Sequence, residues 1–227
     1  MSTIGIKTIV AAIAAIASVS ASAAITTLDG KGFDLSFDAD IFSPSLISLS
    51  ADRTAVVFDT DAFSVAFKSD EANIASFVAQ LTITRDAGYT FSGLELKQSG
   101  VYSLMKTSSE VGAALISSVW IDGNPNATEA NADVFEMTGV KIGGNKYGLK
   151  NTYDFKGTAF ATAQSFEFMT LSGLYAEAAY DHAASIYANS YSLSVMTAPV
   201  PEPEQWALML AGIGMVGAIA RRRSRRA

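Results

Sequence analysis

Across the body of the chain, apolar and polar residues mostly recur with a period of two, and this excludes most architectures at once. Such a period sends successive side chains to opposite faces of an extended strand, whereas a helix needs 3.6 residues per turn. Seven segments carry the signal: Phe63–Phe67, Phe77–Thr84, Tyr89–Leu96, Ala114–Ile121, Tyr153–Phe160, Ser165–Leu174 and Ser185–Met196. Turn-forming residues fall between them, at Arg85-Asp86-Ala87-Gly88, Ser99-Gly100, Asp122-Gly123-Asn124-Pro125-Asn126, Gly143-Gly144-Asn145 and Lys150-Asn151. Two stretches, Asp70–Ala75 and Ala176–Ala184, compete for short helix or loop, and no long amphipathic helix separates the strands. The pattern predicts an all-β fold, an antiparallel β-sandwich of jelly-roll type.

The last of these segments has two distinct faces. Tyr187, Asn189, Tyr191, Leu193 and Val195 fall on one side and are expected in the core, with Ile186, Ala188, Ser190, Ser192 and Ser194 on the other. Trp120, closing an earlier strand, is also expected in the core.

The two ends of the chain follow other rules. At the N-terminus, Lys7 precedes an apolar run from Thr8 to Val19, and Ala21-Ser22-Ala23 supplies the small-x-small pattern at which a secretory signal peptide is cut. Cleavage is expected after Ala23, so residues 1–23 are read as a signal peptide helix. At the C-terminus three unlike parts occur in order. Pro201 and Pro203 fix their own φ and push Val200 and Glu202 toward extended geometry, so Pro201-Glu202-Pro203 stands clear of helix and sheet. Trp206 to Ala220 carries no charge, and five arginines follow at 221, 222, 223, 225 and 226. As a helix those fifteen residues span roughly 22 Å, short of the hydrocarbon core of roughly 30 Å. Trp206 suits one membrane interface, and Arg221, Arg222, Arg223, Arg225 and Arg226 suit the cytoplasmic side.

This combination resembles the PEP-CTERM sorting signal of Gram-negative bacteria. The resemblance rests on Val200-Pro201-Glu202-Pro203, on the apolar opening Trp206-Ala207-Leu208-Met209-Leu210-Ala211-Gly212, and on the arginine cluster. It implies that Pro201, Glu202 and Pro203 are recognised by exosortase, a membrane-embedded cysteine protease, as the protein passes the inner membrane to the cell surface or the extracellular matrix, where biofilm polymers lie. It makes those three residues a substrate's recognition residues. The expected organisation is a signal peptide over 1–23, a β-sandwich over 24–198 and the sorting signal over 199–227.

Between the signals the chain is acidic. Ten of the sixteen basic residues and twenty of the twenty-two acids lie within 24–200, a net charge of minus ten. No basic cluster is present there to displace counterions from a phosphate backbone, which argues against nucleic acid as a partner. There is no cysteine, so thiol catalysis, thiolate zinc sites and iron–sulfur clusters are excluded. No cofactor is expected.

The candidates for chemistry are few. Phe37-Asp38-Ala39-Asp40-Ile41-Phe42 and Phe58-Asp59-Thr60-Asp61-Ala62-Phe63 share the form Phe-Asp-x-Asp-x-Phe. Asp38, Asp40, Asp59 and Asp61, with Asp34 and Asp52 nearby, could offer hard oxygen ligands to calcium. Polar turns whose phenylalanines tuck into the core, with no metal, are the expectation. His182 beside Asp181 invites comparison with a catalytic triad, but no Gly-x-Ser-x-Gly elbow is present and a surface histidine is expected. Tyr147, Tyr153, Tyr175, Tyr180, Tyr187 and Tyr191 crowd the C-terminal half, where exposed rings could stack on sugars and buried ones would simply pack. Three functions follow, in order of preference: an exported non-enzymatic surface or matrix protein, a jelly-roll protein that binds extracellular polysaccharide, and a secreted hydrolase that uses two converging carboxylates.

Overall fold

The computed structural model describes residues 24–61, 63–67, 73–105, 107, 109–177, 183–200 and 207–216. Among the described residues, twelve strands form two antiparallel six-stranded sheets. The strands are β1 (Ile25–Asp29), β2 (Phe33–Asp38), β3 (Ile47–Leu49), β4 (Ala55–Phe58), β5 (Ser64–Phe67), β6 (Asn73–Arg85), β7 (Tyr89–Leu104), β8 (Glu110–Ile121), β9 (Asn124–Thr138), β10 (Lys141–Asp154), β11 (Ser165–Glu177) and β12 (Ala184–Pro199). Sheet A has the order β1-β2-β6-β11-β8-β9, and sheet B the order β10-β7-β12-β4-β3 with β5 also on β12.

The pairing is nested. β8 pairs with β9, β7 with β10, β6 with β11, and β4 and β5 with β12. Successive ribbon pairs fall in opposite sheets, and β11–β8 and β12–β7 join them side by side. A long hairpin wrapped this way is a jelly roll.

Each sheet turns one side chain in two inward, and most of the inward ones are apolar. Leu81 and Ile83 of β6, Leu94 and Leu96 of β7, Leu115 and Val119 of β8, and Phe166 and Phe168 of β11 are all buried. A side chain of this size removed from water contributes about 1.5–3 kcal/mol. The two Phe-Asp-x-Asp-x-Phe repeats deliver Phe37, Phe42, Phe58 and Phe63 to the core as expected. Three of them meet Phe77 edge-on, with ring centroids 5.2 Å away for Phe42, 5.4 Å for Phe58 and 6.3 Å for Phe63. Phe37 packs at right angles on Phe42.

The interior also holds polar side chains, and they bridge the sheets. Tyr153 of β10 bonds Ser117 of β8 at 2.8 Å, and Tyr191 of β12 bonds Thr170 of β11 at 2.5 Å. Gln98 of β7 donates to Tyr147 at 3.1 Å and accepts from Ser172 of β11. Asn151 of β10 donates to Leu115 O, Ser117 Oγ and Asn131 O. In a water-poor interior such bonds count for more than at the surface, and an unpaired partner costs correspondingly more. Burial holds the Tyr147 phenol up at about 12, and raises those of Tyr153 and Tyr191 as well.

The outermost strands β9 and β10 are joined by side chains instead of a backbone ladder. Asp133 Oδ2 accepts the Lys150 N–H at 2.8 Å, and Asn131 Nδ2 donates to Thr152 O at 3.2 Å. Two backbone groups that would invite a foreign strand, the Lys150 N–H and the Thr152 carbonyl, are thus taken.

Several sequence expectations are corrected. Ser99-Gly100 lies inside β7 and Lys150-Asn151 inside β10, not in turns. Gly100 is needed there because a Cβ would collide with the Tyr187 carbonyl of β12. Gly143-Gly144-Asn145 lies within β10, at a register shift between Lys141 and Asn145. The strand expected over Tyr153–Phe160 stops at Asp154, whose Oδ1 accepts the Lys156 N–H; the turn then runs through Gly157 at φ +76° into the short helix α1 (Ala159–Thr162). β9 escaped notice because its inward positions include Glu129, Asn131 and Asp133, while Ala130, Ala132 and Val134 face out.

The faces of β12 do not follow one unbroken alternation, because a bulge divides them. Register shifts between Ala188 and Ser190, so Ile186 and Ala188 are buried before it and Tyr191, Leu193 and Val195 after it. Tyr187 and Asn189 are exposed, contrary to expectation.

Asn151→Leu is expected to destabilise the domain by about 2–4 kcal/mol, because the partners left behind stay buried, which urea unfolding would measure. The raised phenols give a second expectation. Tyrosines that ionise near 10 when unfolded stay protonated in the folded chain, so their stabilisation is complete below that pH and lost as pH climbs toward about 12. Tyrosinate absorbance from these rings should appear only together with loss of the β-sheet dichroism signal.

Candidate functional site

The outer face of sheet A carries a groove of about 450 Å³ lying across β2, β6 and β11. Alternation explains its lining. Leu81 and Ile83 point inward, so Val78, Gln80 and Thr82 point outward; Phe166 and Phe168 point inward, so Glu167 and Met169 point outward. Ser36 and Asp38 complete the floor from β2, and Ile25 and Ile41 form one wall. Both isoleucines are exposed, at 62% and 72%.

Register aligns these side chains into a stripe. Thr27 opposes Ser36, Ser36 opposes Thr82, Thr82 opposes Glu167, Glu167 opposes Trp120, and Trp120 opposes Thr128. Adjacent strands lie about 4.8 Å apart, so the stripe presents a hydrogen-bonding or aromatic group at each such step. Trp120 was expected in the core. It stands half-buried on this outer face, because Val119 and Ser117 occupy the inward positions of β8.

Glu167 is half-buried in the groove. Desolvation raises its carboxyl, against the Thr82 hydroxyl, which donates to Oε1 at 2.8 Å. Asp38 accepts the Asp40 N–H at 2.9 Å, and Asp59 accepts the Asp61 N–H at the same distance, so both repeats form turns closed by their first aspartate. Asp52 accepts from the hydroxyls of Ser50 and Thr54, which pulls it down to about 2. Among the described residues, no three Asp, Glu or His side chains come together as a metal site. Asp38, Asp40, Asp59 and Asp61 therefore do not converge.

The tyrosines divide by face. Tyr147, Tyr153 and Tyr191 are core residues. Tyr175 lies half-buried on the outer face of sheet A and donates to Glu110, and Tyr187 is exposed on sheet B. Tyr180, Asp181 and His182 lie outside the described residues. Gln80, Thr82, Glu167 and Met169 were missed by sequence reasoning. The available signal was Phe166-Glu167-Phe168-Met169, in which two phenylalanines turned inward force the glutamate and methionine to share the other face.

The last described pairings of β12 lie at its very end. Pro199 opposes Tyr89 as the last pair of the β12–β7 ladder, and the Val200 N–H donates to Gly88 O at 2.7 Å. Pro201, Glu202, Pro203 and Trp206 lie outside the described residues, as do Arg221, Arg222, Arg223, Arg225 and Arg226 and the cleavage-site residues Ala21 and Ala23. Residues 207–216 form a helix whose Leu208, Leu210, Ile213, Met215 and Val216 are exposed. Among the described residues, no helix is long and apolar enough to cross a membrane.

Residues 199–226 match the PEP-CTERM protein-sorting motif. The chain carries a PEP-CTERM sorting signal. That signal marks an exported protein that passes the membrane. No curated protein matches the chain. Among solved structures, TmCBM61 in complex with β-1,4-galactotriose is 13% identical over 68% of this chain and 90% of that one, at a TM-score of 0.26. The xylan-binding module CBM15 is 16% identical over 76% of this chain and 97% of that one, at 0.23.

The half-buried Glu167 gives a testable consequence. Its acidity is raised by burial, so its contribution to stability is complete below the unfolded value of 4.5 and is lost as pH rises through the folded one. Glu167→Gln keeps an acceptor for Thr82 and removes the charge. Its urea midpoint is expected to exceed the wild type's at neutral pH and to equal it at strongly acidic pH.

Proposed function

We propose that this protein is a non-enzymatic component of the cell surface or extracellular matrix, delivered as the substrate of an exosortase-type membrane protease that reads Pro201-Glu202-Pro203. The observation that carries the reading is the position of the PEP-CTERM motif relative to the fold. The motif starts at residue 199, and among the described residues the last backbone bond that ties the chain to the sandwich is that of Val200. A cut at Pro201-Glu202-Pro203 would therefore leave every strand paired, and the released domain would keep its structure. The apolar helix that follows has an exposed apolar surface of the kind that a bilayer or a membrane protein covers.

A non-enzymatic role is favoured by how the groove's two carboxylates are used. Asp38 holds its own turn and Glu167 holds Thr82, so each is engaged in structure. The acidic body, net minus ten over 24–200, suits a soluble domain in the outer compartment and disfavours anionic partners such as nucleic acid.

Intact mass of the protein from its native host tests the reading at both ends. The expected product begins after Ala23 and ends near Pro203. Deletion of residues 201–227 is expected to stop delivery to the cell surface or medium. A deleted form that still arrives there would overturn the assignment.

A further inference from the structure

We infer that the groove on the outer face of sheet A, together with Trp120 beyond its end, is a binding site for a neutral glycan chain. The inference goes beyond the sorting assignment and does not depend on it.

Charge narrows the ligand first. No lysine or arginine lines the groove, and its two ionisable residues are the acids Asp38 and Glu167, which excludes phosphate-, sulfate- or uronate-rich polymers. A cation is a poor fit as well. Glu167 is half-buried and already bonded to Thr82, and burial favours its neutral form. What the lining offers is hydroxyl, amide and carboxyl groups suited to exchanging hydrogen bonds with an uncharged, hydroxyl-rich molecule.

Shape and composition narrow it further. Ile25, Ile41, Val78 and Met169 set apolar surface against the polar floor of Gln80 and Thr82. A sugar ring has the matching division, with C–H bonds on its faces and hydroxyls around its rim. The two exposed isoleucines fill no part of the core, and an apolar ligand face is the partner that would cover them. A volume of about 450 Å³ is that of a small-ligand site and holds a few sugar rings.

The stripe gives a direction. Ser36, Thr82, Glu167 and Trp120 cross four neighbouring strands at steps of about 4.8 Å, close to the length of one sugar ring. A chain laid across the strands would meet one polar group per ring and end on the indole. Trp120 takes no part in the aromatic cluster around Phe77 and stands on the outer face, where a ring face can stack on a sugar.

The test uses the full exported protein and isothermal titration calorimetry with xylan, cellohexaose and β-1,4-galactan oligosaccharides, alongside polygalacturonate and a membrane of anionic lipid vesicles. Saturable binding of at least one neutral glycan is expected, with none to the two anionic probes. Trp120→Ala and Gln80→Ala should each weaken that binding at least tenfold. Lys97→Ala, on the outer face of sheet B, should leave it unchanged. Gln80 is exposed, so its variant should fold, and an unchanged melting curve would confirm that for both. Binding to none of the neutral glycans, binding that survives both groove variants, or a preference for either anionic probe would overturn the inference. Correct processing at the two termini in the same preparation would show the sorting assignment to stand even if glycan binding failed.

Discussion

The ladder between β7 and β12 is the constraint from which the rest of the structure follows. It runs from the Leu104–Ala184 pair to the Tyr89–Pro199 pair and forms the centre of sheet B. Because β12 lies between β7 on one side and β4 and β5 on the other, the final strand of the body closes the sandwich. The bulge between Ala188 and Ser190 is where the ladder changes face, and Gly100 is the residue on the facing strand that makes room for it. Without that interruption, a single alternation would have sent either Ile186 or Leu193 to solvent. Both are fully buried.

Much of the architecture could be read in the chain because period-two alternation survives wherever an inner face is apolar. β6, β8 and β11 were legible for that reason, as was the pairing of turn chemistry with Arg85–Gly88. β9 was not. Its inward positions hold Glu129, Asn131 and Asp133, the last two bonded to the backbone of β10, so the apolar signal sits on the wrong face. The face change in β12 had no local mark either, since the bulge is set by a partner distant in sequence. The burial of the phenylalanines in the two Phe-Asp-x-Asp-x-Phe repeats was legible, because four phenylalanines flanking turn residues have one favourable place to go. The groove could not be seen, since it arises only when three strands from separate regions align in register.

The interior is unusual in mixing aromatic packing with a set of polar links between the sheets. Phe77 draws the phenylalanines of both repeats together at one end, while Ser117, Gln98, Asn151, Thr170 and Ser172 join opposite sheets through named partners. Apolar contact alone tolerates sliding of one sheet over the other. Directional bonds between particular residues do not, and they fix how the two layers sit. The outer face of sheet A inherits that rigidity, which holds its side chains in a fixed row.

The central place of the last strand has a consequence for assembly. Sheet B cannot be completed until residues 184–199 are available, so a chain threaded across a membrane from its N-terminus would remain open along β7 until nearly the whole body had emerged. At that moment the strand still needed is joined by only a few residues to a helix with exposed apolar side chains. Docking β12 into its slot thus involves a segment that runs directly into the sorting signal, and any restraint on that signal would act on the very segment whose insertion finishes the domain.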